Sequence, residues 1–154
     1  MGITRLDQSN DTRYAYSANY SIVEAGLKYQ KTIVTLGNEQ LEGNNVAGES
    51  FVTPLASLHK YNGWADKFLG TPTGGIDDVY LSVKHGFNEK TKFAIAFHDF
   101  EAESSGGDYG SEWNVSLSHK LNANFSLLFK LADYESDGLS VDTTKVWFMV
   151  TANF

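Results

Sequence analysis

The sequence predicts an all-β, antiparallel fold, and three observations carry that expectation. Long segments alternate apolar and polar residues with a period of two, the spacing of a strand with unlike faces. Ten Phe, eight Tyr and three Trp stand beside fourteen Gly and only two Pro, which suits strands joined by tight turns. The connections between alternating segments come in two lengths, very short and long. With 154 residues the chain is long enough for one domain, taken as 1–154, with a sizeable core.

The elements follow in order. GITRLDQ is expected to form a short first strand. SIVEAGLKY sets Val23, Ala25, Leu27 and Tyr29 against Glu24, Gly26 and Lys28. TIVTLGNEQLEG follows a turn at Gln30-Lys31, and its facing is ambiguous from sequence. DDVYLSVKHGF sets Val79, Leu81, Val83, His85 and Phe87 against Tyr80, Ser82, Lys84 and Gly86. After a turn at 88–90, Phe93, Ile95 and Phe97 oppose the small Ala94 and Ala96. SEWNVSLSHKL sets Trp113, Val115, Leu117, His119 and Leu121 against Glu112, Asn114, Ser116, Ser118 and Lys120. FSLLFKLADY sets Phe125, Leu127, Phe129 and Leu131 against Ser126, Lys130 and Ala132, with Leu128 an exception. In KVWFMVTANF, Val146, Phe148, Val150, Ala152 and Phe154 oppose Lys145, Trp147, Met149, Thr151 and Asn153. The total is about eight strands.

Composition excludes several classes. A formal charge of −7 leaves no basic surface for phosphate backbones, so nucleic acid is not a partner. With no cysteine there is no disulfide framework, thiol nucleophile or thiolate metal site. No run of about 18 apolar residues exists, so no transmembrane helix is expected. MGITRLDQSN has neither the basic start nor the apolar centre of a signal peptide, so an exported protein would be represented here in mature form. A membrane β-barrel passes both tests, because alternation averages its hydropathy out.

The connections near 30–31, 88–90 and 122–124 are short, while those near 8–16, 43–75, 104–110 and 136–142 are longer and polar or Gly-rich. Short turns at one end and long loops at the other are the asymmetry of an up-and-down transmembrane barrel. With the C-terminus on the periplasmic side, every short turn is periplasmic and every long loop extracellular. Alternation alone does not choose between this and a soluble sheet whose bulky face is a core. The terminal aromatic Phe154 adds an association, since bacterial barrel-assembly machinery reads such a residue as its signal on outer-membrane proteins.

Several motifs occur in order: LEG at 41–43, TPLASLHKYNGWADKFLGTPTGGIDDVYLSV at 53–83, DYGSEW at 108–113, Asp133-Tyr134, and DTTKVWFMVTANF at 142–154. Together they resemble the C-terminal part of the alginate-export-like family of outer-membrane porins, over roughly residues 20–154. The resemblance implies an all-β, antiparallel transmembrane barrel in the Gram-negative outer membrane, with its apolar face turned to lipid. It also implies passive, porin-like transport of a hydrophilic, anionic or saccharide solute, with no catalysis and no cofactor. Lipid bilayer, lipopolysaccharide and the assembly machinery are the implied partners. Family barrels carry roughly twice the strands seen here. A barrel of about eight strands is just filled by its own side chains, whereas about 16 leave an aqueous channel. The alternatives are therefore a plugged structural or surface-binding barrel, and a soluble β-barrel holding an apolar ligand.

Candidate residues follow from the faces. Glu24, Lys28, Lys84, Glu112, Lys120, Lys130 and Lys145 are expected on the lumen side. There they either select solutes by charge or pair as a structural network, and the second is the preferred reading for eight strands. The 43–75 loop is extracellular or folded inward, and offers His59, Lys60, Tyr61, Trp64, Asp66 and Lys67 for constriction or ligand contact. Its plain reading is a loop ordered by packing its own aromatics, with Leu55, Leu58, Tyr61, Phe68 and Leu69 near helical spacing. DYESDG at 133–138 has the start of a calcium loop but Thr144 at its twelfth place, and no metal site is expected. With HDFEAE at 98–103 it reads as a solvated acidic rim. His98-Asp99 lacks a nucleophile motif, and no enzyme is expected.

Overall fold

The computed structural model describes the backbone of residues 2–9, 16–53 and 61–154, and the side chains of 16–53 and 61–154. Eight strands are present: β1 (Gly2–Ser9), β2 (Ser17–Tyr29), β3 (Thr32–Leu41), β4 (Ile76–Gly86), β5 (Thr91–Glu101), β6 (Asp108–Lys120), β7 (Phe125–Ser136) and β8 (Thr143–Ala152). They form one antiparallel sheet in the order β1-β2-β3-β4-β5-β6-β7-β8, each strand hydrogen-bonded to its sequence neighbours. Among the described residues there is no helix, in keeping with the wealth of aromatic and β-branched residues.

The turn-side connections are short because the strands on either side are in full register down to their ends. Tyr29 pairs with Thr32 around Gln30-Lys31, and His119 pairs with Leu127 above the 121–124 turn. Asn88 and Asn122 each accept from the backbone two and three residues on, the side-chain turn that Asn favours. One irregularity interrupts the ladder, a register shift at Phe100/Glu101 opposite Asp108–Gly110.

The sheet is open. Seven antiparallel pairs make it, and none joins β8 to β1. The expected closure of last strand on first is thus not part of the observed pairing. β1 pairs with Ser17–Glu24 of β2.

Burial is inverted relative to a soluble sheet. Ala18, Leu41, Ile76, Asp78, Phe100, Glu112, Asn114, Ala132 and Tyr134 are all buried, and by register all lie on the polar face. On the other face Leu27 is 80% exposed, Leu36 56%, Phe129 38% and Phe148 69%. The ambiguous strand β3 is resolved: Val34 and Leu36 join the exposed apolar face, Gly37 and Glu39 the covered one.

The polar face is covered by the chain between β3 and β4. Phe68 packs on Phe100, Tyr109 and Tyr134 with ring centroids 4.6, 6.0 and 6.3 Å apart. Phe51 packs on Tyr20 at 5.6 Å, and its backbone N–H donates to the Glu42 carbonyl. The buried apolar cluster is therefore a layer between loop and strand ends.

Gly37 lies directly under the Tyr80 ring, and a Cβ there would overlap three of its atoms. Gly37→Ala is expected to lower unfolding stability by about 1–3 kcal/mol in a denaturant titration. In a Tyr80→Ala background the same change should cost markedly less.

Candidate functional site

Reading the registers across the sheet arranges the polar face in rows, each about 7 Å from the next. Near the loops, Glu39 lies beside Asp78; one row below, Glu24, Gly37, Tyr80, His98, Glu112 and Tyr134 stand in line. The next row is small or uncharged through most of its length: Gly26, Thr35, Ser82, Ala96, Asn114 and Ala132, then Lys145. Below it run Lys28, Ile33, Lys84, Ala94, Ser116, Lys130 and Trp147. Lys92 and Lys120 follow nearer the turns. Acids thus occupy the loop end of this face and lysines the turn end.

Each acid has acquired donors, and for Glu39, Asp78 and Glu112 burial requires them. Tyr80 Oη donates to Glu24 Oε1 at 2.6 Å, and Tyr20 Oη to Glu39 Oε1 at 2.8 Å. His98 Nδ1 lies 3.0 Å from both oxygens of Asp78. Glu112 is served from outside the sheet. The backbone N–H groups of Trp64 and Ala65 donate to its Oε1 at 2.5 and 2.9 Å. Asn62 adds a donation from Nδ2 to Glu39 Oε2 at 3.5 Å.

The same segment is fastened by charge. Lys145 Nζ donates to Asp66 Oδ2 at 2.9 Å. Lys130 Nζ stands 3.8 Å from the centre of the Trp64 ring and 5.3 Å from that of Trp147. Lys67 Nζ reaches Ser140 Oγ at 3.2 Å and lies over the Tyr134 ring. The turn end is different in kind. A groove of about 570 Å³ is lined by Lys28, Lys31, Lys84 and Lys92 with Ile33 and Leu128, and no carboxylate lines it.

All seven residues expected on the lumen side fall on this one face. They do not form one ring: Glu112, Lys130 and Lys145 meet the loop segment, Lys28 and Lys84 line the groove, Glu24 holds Tyr80, and Lys120 lies beyond the groove. Of the loop candidates, Trp64, Asp66 and Lys67 are fastened to the sheet, and Tyr61 is exposed. His59 and Lys60, like Leu55 and Leu58, lie outside the described residues. Phe154 is fully exposed and meets Phe125 edge-on at 6.4 Å. His98 is paired with Asp78 rather than with Asp99, which faces the opposite side.

Sequence reasoning missed Glu39, Asp78, Asn62 and Asn114, all buried. The signal for Asp78 and Glu39 was alternation carried one step past the apolar part of each strand. His85 and His119, which alternation placed on the apolar faces, make matched cross-strand contacts to Thr32 and Thr91 at 2.8 and 2.9 Å. Among the described residues no three His, Asp or Glu side chains converge as a metal site, and no helix is long and apolar enough to cross a membrane. Comparison with protein-family models, curated proteins and solved structures found no match.

The Lys145 and Asp66 side chains are 36% and 22% exposed, so a double-mutant cycle should give a coupling of only about 0.2–1 kcal/mol, weaker still in high salt. Phe68→Ala removes the segment's apolar anchor and should cost about 3–5 kcal/mol. Denaturant titrations of the four cycle members and of F68A check the ranking.

Proposed function

We propose that this chain is an outer-membrane β-barrel protein of the alginate-export-like porin type, giving passage to hydrophilic, anionic solutes. The observation that supports this most is the inverted burial. The bulky face with Leu27, Phe129 and Phe148 lies open, while the face with Glu112, Asn114 and Asp78 is covered. In water that arrangement exposes the greater part of the apolar side chains. In a bilayer it is the dressing a spanning strand needs, apolar outward and polar inward. Strand lengths agree, since spans of about 9–11 tilted residues cross the hydrocarbon layer and β2 to β8 have 10 to 13 residues.

Insertion requires the β1 and β8 edges to be joined, to each other or to further strands, because unpaired backbone is not tolerated in lipid. The lysine-lined groove supports anionic rather than cationic solutes, since cations on a pore wall raise the local anion concentration. A second reading, a plugged structural barrel, is favoured by one observation: residues 61–71 lie across the polar face.

The test is single-channel conductance after refolding the chain into planar bilayers, with heat-modifiable gel mobility as the folding control. Steady conductance with a reversal potential favouring anions is expected, and Lys28→Gln with Lys84→Gln should shift it toward cations. Folded protein without conductance would select the plugged reading. A chain that stays folded and soluble without detergent would overturn both.

A further inference from the structure

We propose that residues 61–71 are a releasable stopper on the polar face, with Glu112 as its catch and Phe68 as the hinge-side anchor. The inference rests on the membrane-barrel reading and deepens it.

The segment is built in two unlike halves. Residues 62–66 hold on by polar contacts and an unusual backbone. Asn62, Gly63 and Asp66 all adopt positive φ, at 52°, 80° and 58°, the left-handed region that Gly, Asn and Asp enter most readily. The turn they make presents the Trp64 and Ala65 N–H groups to the Glu112 carboxylate. Gly63 sits so close that a Cβ would overlap all three atoms of that carboxyl group. The second half, around Phe68, holds on chiefly by aromatic packing, with Lys67 reaching Ser140 and Thr71 donating to the Phe51 carbonyl.

The catch holds by few contacts. Glu112 is wholly buried and its Oε1 takes both backbone donations, while Asn114 Oδ1 beside it takes a long one from Trp64 N–H at 3.3 Å. The two outer fastenings, Lys145 to Asp66 and Lys130 to Trp64, are part-exposed charge contacts that salt weakens. Beneath the segment the wall carries the small, wholly buried Ala132 beside Asn114, which Trp64 N–H meets, so the segment rather than a bulky wall side chain fills this place. Release of residues 62–66 opens that space while Phe68 keeps the segment tethered.

The chain has no cysteine, so a single engineered thiol reports release. Ala65 is 1% exposed. In refolded full-length protein, Ala65→Cys should react slowly with a maleimide. Adding Glu112→Ala should speed labelling at least tenfold, with Glu112→Gln intermediate because its carbonyl still accepts. Gly63→Ala should act like E112A, and Asp66→Asn should give a smaller, salt-like increase. The control is Ala18→Cys, a thiol equally buried but on β2. An unchanged Ala65→Cys rate in E112A, or in E112Q and G63A should E112A not fold, overturns the proposal. So does an equal acceleration at Ala18→Cys, which would mean general loosening. Conductance of the same proteins separates the two readings: faster labelling without any current leaves the stopper standing and removes the pore.

Discussion

A carboxylate shut away from water must find donors, and this rule organises the polar face. Glu39, Asp78 and Glu112 are buried toward the loop end of their strands, and the more exposed Glu24 stands in the row with Glu112. Two are met by tyrosines of a neighbouring or next-but-one strand, and one by a histidine of the adjacent strand. The fourth is met by backbone N–H groups from a loop 47 and 48 residues earlier. That last pairing turns a surface loop into an internal layer. Once Trp64 and Ala65 are drawn to Glu112, Trp64 falls under Lys130, Asp66 meets Lys145, and Phe68 reaches the rings of Phe100 and Tyr134. The cost of stranding the charge is larger than any one of these later contacts.

The faces of the strands were legible because period two is a local property. Trp113 against Glu112, or Phe129 against Lys130, needs no knowledge of the partner strand. Short turns were legible for the same reason, from Asn and Gly at the right spacing. The seven charged positions on one face followed directly. Their individual roles did not. Whether Lys84 lines a groove or Lys130 covers an indole depends on which row each joins, and rows are set by registers between strands. His98 illustrates the limit. Its neighbour in sequence is Asp99, but a pleat sends adjacent side chains to opposite faces, so its partner is Asp78 on β4. Leu128 broke the pattern in the sequence, and it lines the lysine groove from the polar side.

The two ends of the face differ in how their charges are spent. The acids are consumed by internal donors. The lysines of the groove meet no carboxylate in its lining. On this face the loop-end acids are thus met from within the chain, while the groove at the turn end is lined by lysines without a carboxylate.

The topology also dictates an order of assembly. Every strand pairs with its immediate neighbour, so the sheet can grow one hairpin at a time with little loop entropy to overcome. The 61–71 segment leaves the sheet after β3, but its fastenings come from β6, β7 and β8. It cannot be seated until five further strands have been laid down. The seated segment is thus a record that the strands through β8 have paired, and a chain stalled at β5 would offer Phe68 only Phe100 and leave Trp64 with no carboxylate to meet its N–H.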